Sequence, residues 1–212
     1  MRPNGTYLDF GCGTAATVAY GRTHGLDVWG VDDFSLNIPV TDDKVQRSVG
    51  ERTPFADSTF DVIFSNMVFE HVMRPDQTLA ELRRILKPDG VMLHLWPSEE
   101  VWWEGHCRVF FAHRLRSRSY LLACHKLGLG QHRDDKTPLQ WADGFLDYFQ
   151  NCCNYLPERK LHQIFQDAGF AVEHIEGEYV RFRFGWDFPS SPFFLKRLMT
   201  MAIKAEPRGA IE

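Results

Sequence analysis

The sequence lacks several features that would narrow its function at once. It has no apolar run of the roughly 18 residues that a membrane-spanning helix requires, so we expect no such span. Its five cysteines form no Cys-x-x-Cys pair, and no His-Glu-x-x-His motif or paired Cys/His spacing is present. We therefore expect neither a disulfide framework nor a metal site, and we interpret the cysteines as reduced thiols.

The chain also lacks a strong charge of either sign. Its formal net charge is -4 over 212 residues, which provides no general attraction to nucleic acid or to an anionic membrane surface. No apolar signal-peptide segment precedes the first predicted strand, so a cytoplasmic location is expected. The length and a hydrophobic content of 44% suit a single globular domain over residues 1–212.

What is present is an alternation of strand and helix patterns over the first half of the chain. Short apolar runs predict strands at TYLDFG, LDVWGVD, KVQRSVG, FDVIFSNM and VMLHLWP. Helices are predicted at TAATVAYGRTHG and at PDQTLAELRRILKPDG, the second ending at Pro88 and Gly90. Strands that are apolar on both faces and alternate with helices indicate a parallel sheet covered on both sides.

The second half departs from this rhythm. Residues 98–155, called the lid segment below, are rich in aromatic side chains and interrupt the alternation. A helix containing Leu161 and Phe165 is then predicted to end at Gly169, followed by strand-like runs at FAVEHI and YVRFRF. The tail from 185 to 212 has apolar character in FFLKRLMTMAI but no motif that indicates a chemistry.

The strongest local signal is LDFGCGTA, in which Asp9 ends a strand and Gly11 and Gly13 form a tight turn before a helix. Glycine lets the backbone bend sharply and lets a ligand approach where a Cβ would otherwise stand. A nicotinamide dinucleotide places its pyrophosphate at such a turn, where Asp9 would repel it. S-adenosylmethionine brings an ammonium and a sulfonium instead, which favour a nearby carboxylate. The alternative is that Asp9 only accepts hydrogen bonds from turn amides.

A second acidic signal ends the next predicted strand. Asp32 lies about twenty residues after the glycine turn, where a carboxylate can accept hydrogen bonds from both hydroxyls of an adenosine ribose. Both a dinucleotide and S-adenosylmethionine contain this ribose, so Asp32 is compatible with either ligand. Asp33 can share or replace the role, and either residue alone is also compatible with an ordinary loop acid.

Further motifs follow in a fixed order between Asp9 and Gly90. They are Asp9-Phe10-Gly11-Cys12-Gly13, Asp32, Pro54-Phe55, Ser58-Thr59-Phe60-Asp61, Glu70-His71-Val72 and Leu86-Lys87-Pro88-Asp89-Gly90. In this order and spacing the chain resembles the class I S-adenosylmethionine-dependent methyltransferases. The resemblance is to the type 11 subgroup in particular, which is similar to the ubiquinone and menaquinone biosynthesis methyltransferases.

The resemblance implies a Rossmann-like, doubly wound α/β fold: a mostly parallel sheet with a C-terminal antiparallel strand and a helical lid insertion at residues 98–155. It implies S-adenosylmethionine as cofactor and S-adenosylhomocysteine as product. The residues implied in cofactor binding are Asp9, Gly11, Cys12 and Gly13 for the methionine part, Asp32 and Asp33 for the ribose, Glu51 or Arg52 for the adenine, and Ser65, Asn66 and Met67 beside the methyl-donor pocket.

The sequence departs from the family pattern at three places. Asp89 replaces the first glycine of the usual Gly-Gly turn, a change that Asp tolerates better than most residues. Only about twenty residues separate Asp33 from Pro54, so the usual second helix is expected to be short or irregular. Almost nothing precedes the first strand, so the N-terminal helices that cap the cofactor in relatives are expected to be absent here. Either another segment takes their role or the sequence is truncated.

The acceptor is expected beneath the lid segment, at the carboxyl ends of the strands. Between positions 101 and 133 six Lys or Arg residues stand against one acid, Glu104, and alternate with aromatic residues. This composition suits a lid over an anionic or aromatic small molecule, although a solvated amphipathic insertion has the same pattern. For an acceptor that must lose a proton, His71, His94 and His106, the last with Glu104, are candidate general bases.

The leading hypothesis is methyl transfer from S-adenosylmethionine to a small-molecule acceptor by in-line displacement. A non-catalytic S-adenosylmethionine-binding or scaffold protein with the same fold is the alternative. A nicotinamide-dependent oxidoreductase is disfavoured by Asp9 and by the lack of a second catalytic domain. Methylation of nucleic acid is disfavoured because the chain has no general basicity and no base-flipping motif of the Asn-Pro-Pro-Tyr kind.

Overall fold

The computed structural model describes residues 4–33, 42–185, 197 and 200–209. Its strands are β1 (Thr6–Phe10), β2 (Asp27–Asp32), β3 (Val45–Arg47), β4 (Phe60–Asn66), β5 (Leu86–Trp96), β6 (Trp103–Glu104), β7 (Val109–Phe110), β8 (Phe170–His174) and β9 (Met201–Pro207). Its helices are α1 (Ala16–Thr23), α2 (Pro75–Ile85), α3 (Ala112–Leu115), α4 (Arg118–Lys126), α5 (Pro138–Asn151), α6 (Glu158–Asp167) and α7 (Glu176–Phe184), with a 3-10 turn at Phe69–His71.

Seven of the described strands form one sheet in the order β3-β2-β1-β4-β5-β9-β8. The pairs among β1 to β5 are parallel, and β9 runs antiparallel to both β5 and β8. The strand order reverses between β1 and β4, which creates a crevice at their carboxyl ends. The predicted doubly wound α/β fold with a C-terminal antiparallel strand is therefore confirmed.

The main core lies against the sheet and consists of residues that the helical and strand patterns present inward. On α2, Leu79, Leu82 and Ile85 are fully buried, as the spacing of that helix predicts. On α6, Leu161 and Phe165 pack into the same cluster. Helices α2 and α6 therefore each cover the sheet with one apolar face.

The end of α2 differs from the prediction, because the helix stops at Ile85 and β5 begins at Leu86. Pro88 and Gly90 therefore lie in the span of β5 rather than terminating the helix. The ladder passes from the pair Phe60↔Leu86 directly to Val62↔Val91, so residues 87–90 bulge out opposite one residue of β4. A proline, which has no N–H to donate, is tolerated at such a bulge. Asp89, the departure from the Gly-Gly turn, lies in this bulge.

The run YVRFRF forms α7, so its prediction as a strand is wrong. Its first turn carries Glu176 and Glu178 and its last turn carries Arg181 and Arg183, a distribution that complements the helix dipole. The antiparallel strand comes instead from β9 in the tail, which pairs with both β5 and β8. Long-range pairing of this kind overrides a local alternation of only six residues.

The lid segment has its own small core within the described chain. It contains the β6–β7 hairpin and helices α3 to α5, and its buried residues include Trp141 and Phe149. The helical content predicted for the insertion is present. The expected irregularity after Asp33 falls on residues 34–41, outside the described residues, and most of the FFLKRLMTMAI tail ahead of β9 also lies outside them. No helix among the described residues has the length and apolarity needed to cross a membrane.

Candidate functional site

The glycine turn lies at the carboxyl end of β1, beside the point where the strand order reverses. The N–H groups of Gly11 and Cys12 both donate to the carbonyl of Val31 at the end of β2, at 2.8 and 3.1 Å. Gly11 has a φ of 77°, and a Cβ there would stand 2.4 Å from Cγ2 of Val68. The sequence needs glycine at this position both for its backbone conformation and for the close approach of Val68.

Asp9 is the acidic group beneath this turn. Its side chain is buried, and that burial, together with the nearby Asp32, raises its pKa to about 6, while a hydrogen bond with Thr17 opposes the shift. A buried carboxylate facing a second acid is stabilised by a cation, so the site favours a positively charged ligand group at the turn. Between the two acids lies the buried Cys12 thiol, whose pKa is raised to about 12 by burial and by the charges of Asp9 and Asp32.

Asp32 ends β2 at the same edge of the sheet. Its Oδ2 accepts a hydrogen bond from the N–H of Gly13 at 2.8 Å, so the carboxylate holds the turn closed. Helix α1 follows without a side-chain cap, since its N-cap residue is Ala15. Asp33 comes next in the chain, and its carbonyl accepts a hydrogen bond from Arg47 at 3.0 Å. The two predicted ribose acids therefore lie next to the glycine turn.

The end of β4 forms the other wall of the crevice. Asn66 and Met67 are exposed there, and Met67 has a φ of 57°, while Val68 packs against the glycine turn. Ser65 differs from its two neighbours because it is buried and its Oγ lies 2.7 Å from Nδ1 of His94. The structure thus brings Asn66 and Met67 to the crevice opening and turns Ser65 into the core.

Glu51 and Arg52, the two candidates for adenine contact, follow β3 at this edge and have different partners. Glu51 forms a bidentate ion pair with Arg74, with N–O distances of 2.7 and 2.6 Å. The guanidinium of Arg52 lies 3.7 Å from Oε2 of the buried Glu81. Arg84 also binds Glu81, and together with Thr53 it lowers the pKa of that carboxyl to about 2 despite its burial.

His94 is fully buried in β5, between aromatic rings. Its ring centroid lies 4.6 Å from that of Phe69 and 5.9 Å from that of Phe165, and burial lowers its pKa to about 3. Such a ring stays neutral and has no open path to an acceptor. The placement favours a packing role for His94 over a role as a general base.

His71 of the 3-10 turn lies beside His106 of the lid segment, with ring centroids 5.2 Å apart. Nδ1 of His106 lies 2.6 Å from Oε1 of Glu104, and Nδ1 of His71 lies 2.7 Å from the carbonyl oxygen of Cys152. A carboxylate or a carbonyl can only accept, so each Nδ1 carries a proton, and in a neutral ring Nε2 then carries the lone pair. Burial lowers the pKa of His71, which keeps its ring neutral.

Glu104 is the buried acid that orients His106. Its Oε1 also accepts a hydrogen bond from the hydroxyl of Tyr155 at 2.8 Å, and its Oε2 accepts one from the N–H of Cys107 at 2.7 Å. These contacts, opposing a burial penalty, lower the pKa of Glu104 to about 2. The carboxylate therefore remains charged, and it stabilises a positive charge on His106 whenever that ring accepts a proton.

Glu70 is an unpredicted member of this group. It is fully buried in the 3-10 turn, neither of its carboxyl oxygens meets a hydrogen-bond partner among the described residues, and burial raises its pKa to about 7. Ligand atoms of Glu70, His71 and His106 lie within 4.8 Å of one another, a set that could also hold a metal ion. The family pattern contains Glu70, but only the fold shows that its carboxyl faces the two imidazoles.

Three of the six basic residues counted between positions 101 and 133 have partners within the lid segment. Arg118 pairs with Asp143 at 2.6 Å, and Arg116 and Arg133 donate to the carbonyls of His113 and His125. These contacts favour the interpretation of the arginines as parts of the lid surface. By contrast, Trp103 and Phe110 form an exposed aromatic pair across the β6–β7 hairpin, next to Glu104.

Comparison with known proteins finds a family model and curated relatives that match part of the chain. A family model described as a methyltransferase domain matches residues 2–175. The chain is 36% identical over 117 residues to malonyl-[acyl-carrier protein] O-methyltransferase 1 of Coxiella burnetii, which covers 54% of this chain and 39% of that protein. It is 32% identical over 114 residues to a ubiquinone/menaquinone biosynthesis C-methyltransferase of Burkholderia mallei, covering 48% of this chain and 46% of the relative.

A solved structure reproduces the fold over nearly the full chain. The S-adenosylmethionine-dependent methyltransferase from Mesorhizobium loti superposes with a TM-score of 0.58 at 15% identity, covering 96% of this chain and 92% of that one. At this identity the likeness concerns the fold alone. The chain matches less than half of the length of each of these two curated relatives. The match to the family model confirms the resemblance that was inferred from the ordered motifs.

Proposed function

Because the chain belongs to the methyltransferase-domain family, we propose that it transfers the methyl group of S-adenosylmethionine to a small-molecule acceptor. The observation that carries the proposal is the pair of acids, Asp9 and Asp32, on either side of a glycine turn at the switch point of the sheet. A cationic amino acid and a ribose fit this pair, whereas a pyrophosphate would be repelled by it. We expect the protein to act in the cytoplasm, as its reduced cysteines predict.

Different residues of the crevice would bind different parts of the cofactor. Asp9 and the turn from Gly11 to Gly13 would hold the methionine part, with Cys12 packed beneath it. Asp32, with Asp33 beside it, would hold the ribose. Glu51 or Arg52 would border the adenine, and Asn66 and Met67, with the backbone of Ser65, would border the methyl group. The raised pKa of Asp9 fits this assignment, because a bound cation would favour its charged form.

When bound, the cofactor supplies a methyl group on a sulfonium that is already activated as a leaving group. Direct, in-line transfer to the lone pair of an acceptor would leave S-adenosylhomocysteine as the product. The chain's main contribution is to align the acceptor and to exclude water. The lid segment, with the exposed Trp103 and Phe110, would cover an aromatic or anionic acceptor.

His106 is the general base that the geometry favours for an acceptor that must lose a proton. Glu104 fixes its Nδ1–H, so Nε2 can take the proton, and the charged Glu104 offsets the resulting imidazolium. His71, whose ring centroid lies 5.2 Å from that of His106 and whose Nδ1 meets the carbonyl of Cys152, is the second candidate. His94 is assigned to packing because of its complete burial.

Calorimetric titration with S-adenosylhomocysteine tests the cofactor assignment. We expect micromolar binding to the wild type, at least a tenfold loss in Asp32→Ala and no binding of NADH. A folded protein that binds neither ligand would contradict the proposal, and preferential NADH binding would indicate an oxidoreductase.

A screen of small acceptors that measures S-adenosylhomocysteine release then tests methyl transfer. With an acceptor in hand, His106→Ala should reduce turnover by roughly 100-fold or more and leave S-adenosylhomocysteine affinity unchanged. Cofactor binding without transfer to any acceptor would favour the non-catalytic alternative.

A further inference from the structure

A second group of metal-ligating side chains lies apart from the crevice, on the far edge strand of the sheet. Glu158 and His162 are on α6, four residues apart and therefore on the same helical face, and His174 ends β8. Nε2 of His162 lies 2.7 Å from Nε2 of His174, and Oε1 of Glu158 lies 3.1 Å from the same His174 nitrogen. Three potential ligand atoms thus converge on one point.

The ring of His174 is oriented by a fourth residue, Glu176, at the start of α7. Oε1 of Glu176 lies 2.9 Å from Nδ1 of His174 and also accepts a hydrogen bond from the N–H of Ala202 at 3.1 Å. Because a carboxylate can only accept, Glu176 holds a proton on Nδ1 of His174. Nε2 is therefore the nitrogen that faces His162 and Glu158, and it can bind a metal ion once it has lost its own proton. A carboxylate behind a histidine is the usual support of a metal-binding imidazole.

The negative charges around His174 also favour a bound cation. Glu158 and Glu176 both contact His174, and Glu176 is buried with its second oxygen, Oε2, lacking a hydrogen-bond partner among the described residues. A protonated His174 would offset one of these two negative charges, whereas a divalent cation would offset both. The partly exposed His174 and Glu158 leave room for water to complete the coordination.

We propose that Glu158, His162 and His174 bind a divalent transition-metal ion, with Zn²⁺ as the preferred occupant and Glu176 as the residue that orients His174. Two imidazoles and one carboxylate form a donor set that suits zinc. The three ligand atoms already lie within 4.8 Å of one another, and a tetrahedral zinc site separates its ligand atoms by roughly 3.3 Å. Binding an ion therefore needs only small side-chain movements.

The bound ion would join α6 to β8, the strand that follows it in the chain. Leu161 and Phe165 of α6 pack with Phe170 of β8 in the core, which holds the helix over the edge strand. The metal would add a link from α6 to the end of β8, and through Glu176 to α7 and β9. Its expected effect is a gain in stability of the folded state, and it does not depend on the proposed methyl transfer.

The test is titration of tag-free, chelator-treated protein with Co²⁺, followed by competition with Zn²⁺. We expect one equivalent of Co²⁺ to produce the visible absorption of a low-coordinate site and Zn²⁺ to displace it. We also expect Zn²⁺ to raise the temperature of thermal unfolding. All of these readouts are independent of cofactor binding and of activity, so failure of the proposed function would leave them unaffected.

Matched variants test whether these residues bind the ion. His162→Ala/His174→Ala should abolish binding, Glu158→Gln should weaken it at least tenfold, and Glu176→Gln should weaken it by roughly 10- to 100-fold. The glutamine variants keep the side-chain size and decide the question if the double variant does not fold. His24→Ala, at an exposed histidine, should bind like the wild type.

Two results would overturn the proposal. One is the absence of Co²⁺ and Zn²⁺ binding in the folded wild type, which would mean that hydrogen bonds and ion pairs alone stabilise the cluster. The other is binding that survives in the Glu158→Gln, Glu176→Gln and double variants but is lost in His71→Ala/His106→Ala. That result would place the ion at the group formed by Glu70, His71 and His106 instead.

Discussion

The carboxylate of Asp32 accepts a hydrogen bond from the N–H of Gly13 at 2.8 Å. This contact joins the end of β2 to the glycine turn that follows β1, across nineteen positions of the chain. The proposed ribose acid therefore also shapes the turn that would hold the methionine part. Changes at Asp32 are expected to affect both the stability of the turn and the affinity for the cofactor.

Two substitutions at Asp32 separate these effects. Asp32→Asn keeps an oxygen that can accept from Gly13, whereas Asp32→Ala leaves that N–H without its carboxylate. We expect the alanine variant to lose about 1 to 3 kcal/mol of unfolding free energy and the asparagine variant to lose less. Urea unfolding without ligand measures the difference. Equal stability of both variants and the wild type would show that the contact does not support the turn.

Alanine at the two glycines of the turn should have unequal consequences. At Gly11 a Cβ would lie 2.4 Å from Val68 and the φ is 77°, whereas at Gly13, with φ 49°, a Cβ meets nothing within 4 Å. Backbone strain of about 1 kcal/mol is expected at both positions, and overpacking adds about 1 to 3 kcal/mol at Gly11. Thermal unfolding should rank Gly11→Ala below Gly13→Ala, and adding Val68→Ala should recover part of the Gly11→Ala loss.

Cofactor affinity should depend on pH through Asp9. Burial raises the pKa of this carboxyl to about 6, and a cationic ligand binds the charged form. The affinity for S-adenosylhomocysteine should therefore be constant above pH 7 and fall as the pH drops through 6, by up to roughly tenfold per pH unit. Asp9→Asn should bind weakly at every pH. A wild-type affinity that is unchanged from pH 5 to 8 would contradict the assignment of Asp9.

Glu70 should make the fold less stable at alkaline than at acidic pH. Burial raises its pKa from 4.5 to about 7, so its stabilising contribution is complete below pH 4.5 and is lost as the pH rises through 7. The full shift corresponds to an upper estimate of about 3 kcal/mol. Glu70→Gln should be more stable than the wild type at pH 8 and similar to it near pH 4.5, as measured by urea unfolding. The exposed Glu178→Gln serves as control.

Glu104 should act on turnover through His106. Replacing it by glutamine keeps the size but removes the charge that orients the Nδ1–H and offsets a protonated ring. We expect Glu104→Gln to reduce turnover by roughly 100-fold or more and to shift the pH profile of turnover, with unchanged S-adenosylhomocysteine affinity. A purely structural role for Glu104 would instead lower stability and leave the pH profile in place.

The sequence by itself determined the elements that depend on local patterns. The glycine turn, the acids at the ends of β1 and β2, the five parallel strands and the buried face of α2 all follow from short-range spacing and backbone preference. The ordered motifs between Asp9 and Gly90 were also sufficient to identify the family. These features are local because a tight turn or an amphipathic face constrains residues only a few positions apart.

The tertiary structure alone decided everything that depends on contacts between distant residues. The run YVRFRF, predicted as a strand, lies in α7, and the antiparallel strand is β9 in the tail, because pairing with β5 and β8 selects it. His94 and His106 are indistinguishable as sequence letters, yet one lies in an aromatic core and the other meets Glu104. The meeting of Glu158 and His162 with His174 likewise depends on packing α6 against the sheet edge, because helical spacing relates only the first two of these side chains.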